Sequence, residues 1–259
     1  MREIVVDAFA KLTLSLRITG TRADGYHELD AEMVSIDEPR DTLTIRPAAR
    51  TTLVVTGPFA SGVPADATNL AWRAADACGA TVEMTLHKGI PSGAGLGGGS
   101  ADAAAVLVAL RADAALALAP ALGADVMFCV RGGRARVRGI GDVVERVEPE
   151  ALSIVVATPP FHCATADVYR AWDALGGPRD DVNDLQPAAQ HIEPRLVAFR
   201  RDLEAAAGAP AILAGSGSSY AVVFADAAVA ERTRARVAGA VDASVWLAST
   251  TAKGTNVRE

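Results

Sequence analysis

Five glycines fall within the seven positions from Gly93 to Gly99, inside the segment Pro91-Ser92-Gly93-Ala94-Gly95-Leu96-Gly97-Gly98-Gly99-Ser100-Ala101-Asp102. Glycine costs least where the backbone takes positive φ or approaches a ligand closely. An alternating run, Val82 to His87, precedes the segment, and an Ala/Val/Leu run to Leu110 follows it. The spacing predicts a strand, a glycine loop and then a helix that starts near Ser100. Orphan N–H groups and the helix dipole point the same way at such a junction, which makes it a cradle for a phosphate-like anion.

Two familiar phosphate motifs fail the test of context. Gly93 to Gly98 formally satisfies G-x-G-x-x-G, but that dinucleotide fingerprint needs a second strand ending in an acid about 20 positions on. The candidate acid, Asp113, lies in alanine-rich helical sequence with no strand before it. The Walker pattern ends Gly-Lys-Ser/Thr, whereas this loop ends Gly98-Gly99-Ser100. A purely structural turn would not need five glycines.

The rest of the chain reads as α+β. Ile4 to Ile18 is strand-like, and Leu12, Leu14, Leu16 and Ile18 alternate with Lys11, Thr13, Ser15 and Arg17, which places Lys11 and Thr13 on one face. Asp24-Gly25 marks a turn, and strands follow at Met33 to Ile36, Asp41 to Ile45 and Thr51 to Thr56. Asn69 to Cys78 and Ala112 to Leu122 read as helical, and Val126 to Val130 as a buried strand. Gly132-Gly133 turns the chain into the alternating run Arg134 to Arg138, whose arginines read first as a solvated edge strand and second as a phosphate patch. Glu148-Pro149-Glu150 is a boundary. Beyond it come strands at Leu152 to Ala157, around Ile212 to Phe224, and at Ser244 to Thr250. They are interleaved with helices at Thr165 to Leu175, Ile192 to Ala207 and Ala227 to Ala238.

Composition bounds the partners. The formal net charge of −6 argues against nucleic acid. Cys78, Cys129 and Cys163 are odd in number and form no C-x-x-C pair, which suits free thiols in a reducing cytosol. The apolar stretch from Ala101 to Val130 is interrupted by Arg111, Asp113, Pro120 and Asp125, so no membrane span is expected. A cytoplasmic protein without a signal peptide is the expectation.

Pro91 to Ala101 resembles the phosphate loop of the GHMP kinase superfamily. The resemblance extends to Ala10-Lys11-Leu12-Thr13-Leu14 with Arg22-Ala23-Asp24-Gly25-Tyr26-His27-Glu28-Leu29, and to Leu122-Gly123-Ala124-Asp125-Val126. It continues through Thr165-Ala166-Asp167-Val168-Tyr169, Val182-Asn183-Asp184-Leu185, Ala214-Gly215-Ser216-Gly217 and Ala252-Lys253-Gly254. Several of these are similar to the branch that phosphorylates a cytidylyl methylerythritol alcohol. The resemblance implies a two-domain fold, with a ribosomal-protein-S5-like α/β domain over residues 1–148 and a ferredoxin-like α+β domain over 149–259. It further implies transfer of the γ-phosphoryl of ATP to the 2-hydroxyl of that substrate, in the non-mevalonate route to isoprenoids.

By the same resemblance, Lys11 and Asp125 are the catalytic pair, Asp125 orienting or deprotonating the hydroxyl while Lys11 stabilises developing charge. ATP is expected on Pro91, Ser92, Gly93, Ala94, Gly95, Leu96, Gly97, Gly98, Gly99, Ser100 and Ala101. Ser100 is placed to reach a phosphate oxygen or Mg²⁺, and Asp102 to complement the helix N-terminus. Tyr26, His27 and Tyr169 are expected around the cytosine, with Thr13, Thr165, Asn183, Gly215, Ser216 and Gly217 as further substrate contacts. The expected partners are the two small molecules alone, with the chain a monomer or weak homodimer. Three departures from the branch pattern stand out: Thr13 replaces asparagine, Met127 replaces proline, and the link between the Ser100 helix and Asp125 is short. A homoserine- or mevalonate-type kinase and a non-catalytic nucleotide binder are the rival readings. The Tyr26-His27 pair speaks against the first, and the presence of both Lys11 and Asp125 against the second.

Overall fold

The computed structural model describes residues 2–111 and 113–258, so the start of the helix expected at Ala112 lies outside the described residues. Two long strands, β1 (Ile4–Thr21) and β2 (His27–Pro47), form an antiparallel hairpin closed by the expected turn at Asp24-Gly25. The other edge of β2 takes three partners in succession. These are β5 (Arg134–Gly139) along Leu29 to Val34, β10 (Ser244–Thr251) at Ser35 and Ile36, and β4 (Val82–His87) along Thr42 to Pro47. β3 (Thr52–Thr56) runs parallel to β4, and β6 (Val143–Arg146) pairs antiparallel with β5. Beyond β10 lie β7 (Ser153–Thr158), β9 (Tyr220–Phe224) and β8 (Ile212–Leu213). The final strand, β11 (Thr255–Arg258), returns to pair with Val5 to Ala8 of β1, so one sheet spans both halves of the chain.

Eight helices are described: α1 (Leu70–Ala77), α2 (Gly98–Arg111), α3 (Ala115–Leu118), α4 (Ala124–Arg131), α5 (Thr165–Ala174), α6 (Gln186–Ile192), α7 (Arg195–Ala207) and α8 (Ala227–Ala238). Asn69 starts α1 by accepting from the Ala71 N–H at 2.9 Å, and Asp226 starts α8 in the same way. α2 is buried continuously from Ala101 to Leu107, and packs against α1, α4 and β1. A helix apolar on every side belongs inside a core, and its alanines let those neighbours approach closely. The core around it takes Leu12, Ile36, Leu43, Ile45, Met84, Leu86 and Ile90, all fully buried. Each such side chain contributes about 1.5–3 kcal/mol by leaving water.

Four expectations are corrected. Val126 to Val130 is part of the helix α4 and not a strand. Periodicity cannot separate a short buried strand from a short buried helix, and Val126 and Cys129, three apart, share the buried side. Strict alternation in β1 fails at Leu14, where a bulge lets Thr13 pair with Met33 and Ser15 with Glu32. The extra residue turns Leu16 to the face that carries Lys11, and both line the same cavity. The arginines of β5 are neither an edge nor an anion patch. β6 pairs along the outer side of β5, so β5 is not an edge, and the solvent-facing Arg134, Arg136 and Arg138 are taken up by Glu32, Asp30 and Glu145. Asp102 lies fifth in α2, beyond its first turn, and is buried.

Candidate active site

A cleft of about 910 Å³ opens between the β1–β2 hairpin, the glycine loop, the start of α4 and helix α5. Every residue from Pro91 to Ser100 lines it, whereas Ala101 is enclosed in α2. The loop is tied to its surroundings by backbone bonds: Lys11 N–H to Leu96 O at 3.0 Å, Ser219 N–H to Ala94 O at 3.1 Å and Cys163 N–H to Gly93 O at 3.2 Å. At Gly95 the backbone has φ +76°, and a Cβ there would overlap the carbonyl oxygen of Ala214. The glycine loop and the 214–217 turn therefore touch backbone to backbone, which only glycine permits.

Lys11 and Asp125 meet across the cleft. Lys11 Nζ lies 3.4 Å from Asp125 Oδ2 and donates to Thr13 Oγ1 at 3.3 Å. The lysine side chain is nearly buried and the aspartate is 31 % exposed, so the carboxylate presents the open side of the pair. Asp125 is the second residue of α4, where the unsatisfied N–H groups favour a negative charge. Thr13 is wholly buried, off the cleft wall, and holds the ammonium from beneath.

The far end of the cleft is aromatic. His27 stacks on Tyr169 with ring centroids 4.9 Å apart and meets the edge of Trp172 at 5.4 Å. Its Nε2 is 2.8 Å from Asp173 Oδ1. Burial, with the Asp125 charge adding to it, pushes the Tyr169 phenol up to about 12, so it remains a neutral ring. Tyr26 stands at the mouth, 62 % exposed.

The 214–217 turn closes the third side. Gly215 and Ser216 line the cleft, and Ser216 Oγ is 2.9 Å from Thr165 Oγ1. Asn183 is buried and braces this turn, its Nδ2 donating to Leu213 O at 3.0 Å and Gly215 O at 2.7 Å. Asn183 and Gly217, like Thr13, do not reach the wall. Sequence reasoning missed Trp172 and Asp173, one turn past Tyr169 on α5, although their spacing from it put them within reach. It also missed Lys88, which lines the cleft beneath the loop and is paired with Asp41 and Asp102.

Residues 68–144 match the family model of the GHMP kinases N terminal domain. The chain is 38 % identical to the 4-diphosphocytidyl-2-C-methyl-D-erythritol kinase of Paracoccus denitrificans, over 93 % of each chain. It is also 38 % identical to the kinase of that name from Pelotomaculum thermopropionicum, over 88 % of this chain and 92 % of that one. A crystal structure of 4-(cytidine 5'-diphospho)-2C-methyl-D-erythritol kinase superposes with a TM-score of 0.77 at 32 % identity, covering 96 % of this chain and 98 % of that one. The homoserine kinase of Cytophaga hutchinsonii shares the fold, with a TM-score of 0.72 at 18 % identity over 100 % and 98 % of the two chains. Glycine loop, Lys11–Asp125 pair and aromatic end thus sit in a framework these enzymes share along nearly its whole length, and the chain belongs to the 4-diphosphocytidyl-2-C-methyl-D-erythritol kinase family, within the GHMP kinase fold.

Proposed function

We propose that this enzyme transfers the γ-phosphoryl of ATP to the 2-hydroxyl of 4-diphosphocytidyl-2-C-methyl-D-erythritol, giving the 2-phosphate and ADP, in the non-mevalonate route to isoprenoids. The observation that carries the reading is the Lys11–Asp125 pair at 3.4 Å, set between a glycine loop and an aromatic pocket within one cleft. Phosphoryl transfer needs positioning, charge neutralisation and an oriented nucleophile, and each need has a group here. The N–H groups of the loop and of the first turn of α2 hold the nucleotide phosphates. Asp125 accepts the hydrogen bond of the substrate hydroxyl, and takes its proton as the oxygen–phosphorus bond forms and ADP leaves. Lys11, fixed by Thr13 and by the backbone bond to Leu96, neutralises the charge that moves through this point.

The cytosine would pack against the stacked His27–Tyr169 pair, with Trp172 edge-on to His27. With Asp173 accepting the Nε2–H, the His27 ring keeps Nδ1 as an acceptor for the exocyclic amine of the base. That polarity suits cytosine and not uracil, whose corresponding group is itself an acceptor. Ser216 and Thr165, bonded to each other on the cleft wall, are the hydroxyl groups we assign to the diphosphate and the branched alcohol.

Among the described residues no group of three or more His, Cys, Asp or Glu side chains is gathered to hold a metal. Ser100, on the cleft wall, is the residue of this chain that would contact a Mg²⁺ brought in with the nucleotide phosphates. When bound, the ion neutralises phosphate charge.

A coupled assay of ADP release, run with and without the cytidylyl substrate, tests the reading. ADP release dependent on the cytidylyl alcohol is expected. Equal turnover of an alcohol lacking the cytidine diphosphate, or of homoserine or mevalonate, would overturn the substrate assignment.

A further inference from the structure

Directly beneath the glycine loop lies a group of three ionisable side chains that the catalytic reading does not use. Lys88 directly follows β4, Asp41 lies on β2 and Asp102 on α2. Their side chains are 2 %, 0 % and 3 % exposed. Lys88 Nζ bonds one oxygen of Asp41 and lies 2.7 Å from Asp102 Oδ2. It also lies 3.2 Å from where a Cβ on Gly98 would stand, so the ammonium touches the first residue of α2. Two carboxyl groups and one ammonium give a charge of −1 if all are ionised, against the loop assigned to the nucleotide phosphates.

The hydrogen bonds distinguish the two carboxyl groups. Asp41 receives three donors: the Gly89 and Ile90 N–H groups at 2.7 and 2.8 Å on Oδ1, and Lys88 on Oδ2. Asp102 receives only Lys88, and its Oδ1 is buried with no partner. A carboxylate in such a place would leave a charge-bearing oxygen unsolvated, which is costly. We propose that Asp102 is a neutral carboxylic acid in the working enzyme, so that the Lys88–Asp41 ion pair and the Asp102 proton form an electrically neutral floor under the nucleotide-phosphate loop. Burial pushes the Asp102 carboxyl well above its ordinary value, and the Asp41 charge pushes it further, against the pull of Lys88. On the α4 side, the Cys129 thiol feels the Asp102 charge together with those of Asp125 and Lys11, and burial holds it in its neutral form. Lys88 is thus a positioning residue: it ties Asp41 to Asp102 beneath Gly98 and balances Asp41 without touching the transferred group.

The proposal rests on the assignment of the loop to ATP, and the experiment separates the two. Infrared spectra of the wild-type enzyme near neutral pH should contain the carbonyl band of a protonated carboxylic acid, missing from Asp102→Asn. The absence of that band in the wild type overturns the proposal. Lys88→Met leaves the charge of Asp41 unbalanced, and raises KM for ATP by about tenfold through charge repulsion, while KM for the alcohol changes little. The double variant Asp41→Asn/Lys88→Met restores neutrality and recovers most of the ATP affinity. If the double variant folds but shows no recovery, the electrostatic role of the floor is wrong. If the carbonyl band is present and Lys88→Met shifts only the KM of the alcohol, the proton on Asp102 stands and the assignment of the loop to ATP falls.

Discussion

Lys11 and Asp125 constrain each other because each is held from outside the cleft. Thr13 and the Leu96 carbonyl fix the lysine, and the first turn of α4 fixes the aspartate. The pair can therefore present one carboxylate oxygen to a hydroxyl without rearranging. Asp125→Asn keeps the shape and removes the proton acceptor. We expect kcat to fall by about 100- to 10,000-fold with KM for ATP within a few-fold of wild type, measured by coupled ADP release; unchanged turnover would sink the assignment of Asp125. A second residue-scale expectation concerns Asp173, which no motif singled out. Its carboxylate is half-exposed, so its bond to His27 is worth less than a buried one. Asp173→Ala should raise KM for the cytidylyl substrate by about three- to tenfold and narrow the preference over a uridylyl analogue, with kcat little changed. A fall in kcat at constant KM would place Asp173 in the chemistry instead.

At the scale of elements, the site depends on the glycine loop lying against the 214–217 turn. Gly95→Ala forces a Cβ into the Ala214 carbonyl and strains a backbone at φ +76°. Gly176, at φ +78°, has no atom near its would-be Cβ. Gly176→Ala therefore carries conformational strain alone, about 1 kcal/mol, whereas Gly95→Ala adds an overlap of about 1–3 kcal/mol that falls on the site. We expect Gly95→Ala to lower kcat/KM at least about tenfold and Gly176→Ala to leave it near wild type. Equal effects on activity would show that loop contact is not what matters. The loop itself was legible in sequence, as were β1, α2 and the Asp24-Gly25 turn, because glycine density, alternation and an Asp-Gly turn are local signals. Helix α4 was not, since five apolar residues fit either period. The bulge at Leu14 was not, because a one-residue insertion keeps the polar and apolar types while exchanging their faces. Nor was the Lys88 floor, whose partners lie 47 and 14 residues away and meet only once β2, β4 and α2 have packed.

Over the whole molecule, the two halves of the chain share their last and first strands. β11 pairs with β1, and Arg258 Nε lies 2.8 Å from Asp7 Oδ2, with Thr42 bonded to the same carboxylate. At the other end of β1, Asp184 is fully buried and accepts from the Ile18 N–H at 2.9 Å, Arg17 at 3.0 Å and Arg179 at 2.8 Å. Burial alone would raise both carboxyl groups; their donors outweigh it, and both lie below the ordinary aspartate value of 3.8. A depressed carboxyl contributes stability that is present above the ordinary value and is lost as pH falls through the folded one. Asp102 has the opposite sign. Raised in the folded state, it keeps a proton that the unfolded chain releases above 3.8, so its contribution erodes as pH rises from there. Urea unfolding from about pH 3 to about pH 8 of wild type, Asp184→Asn and Asp102→Asn separates these terms. Asp184→Asn should be less stable than wild type by about 2–4 kcal/mol near neutral pH, the size of lost bonds to a buried charge, and this gap should close as pH falls below the ordinary aspartate value. Asp102→Asn should gain on wild type steadily as pH rises above that same value. Because β11 and Asp184 each bind the second half to β1, both changes should move a single unfolding transition. A gap for Asp184→Asn that is constant across the range would show that its charge contributes nothing to holding the halves together.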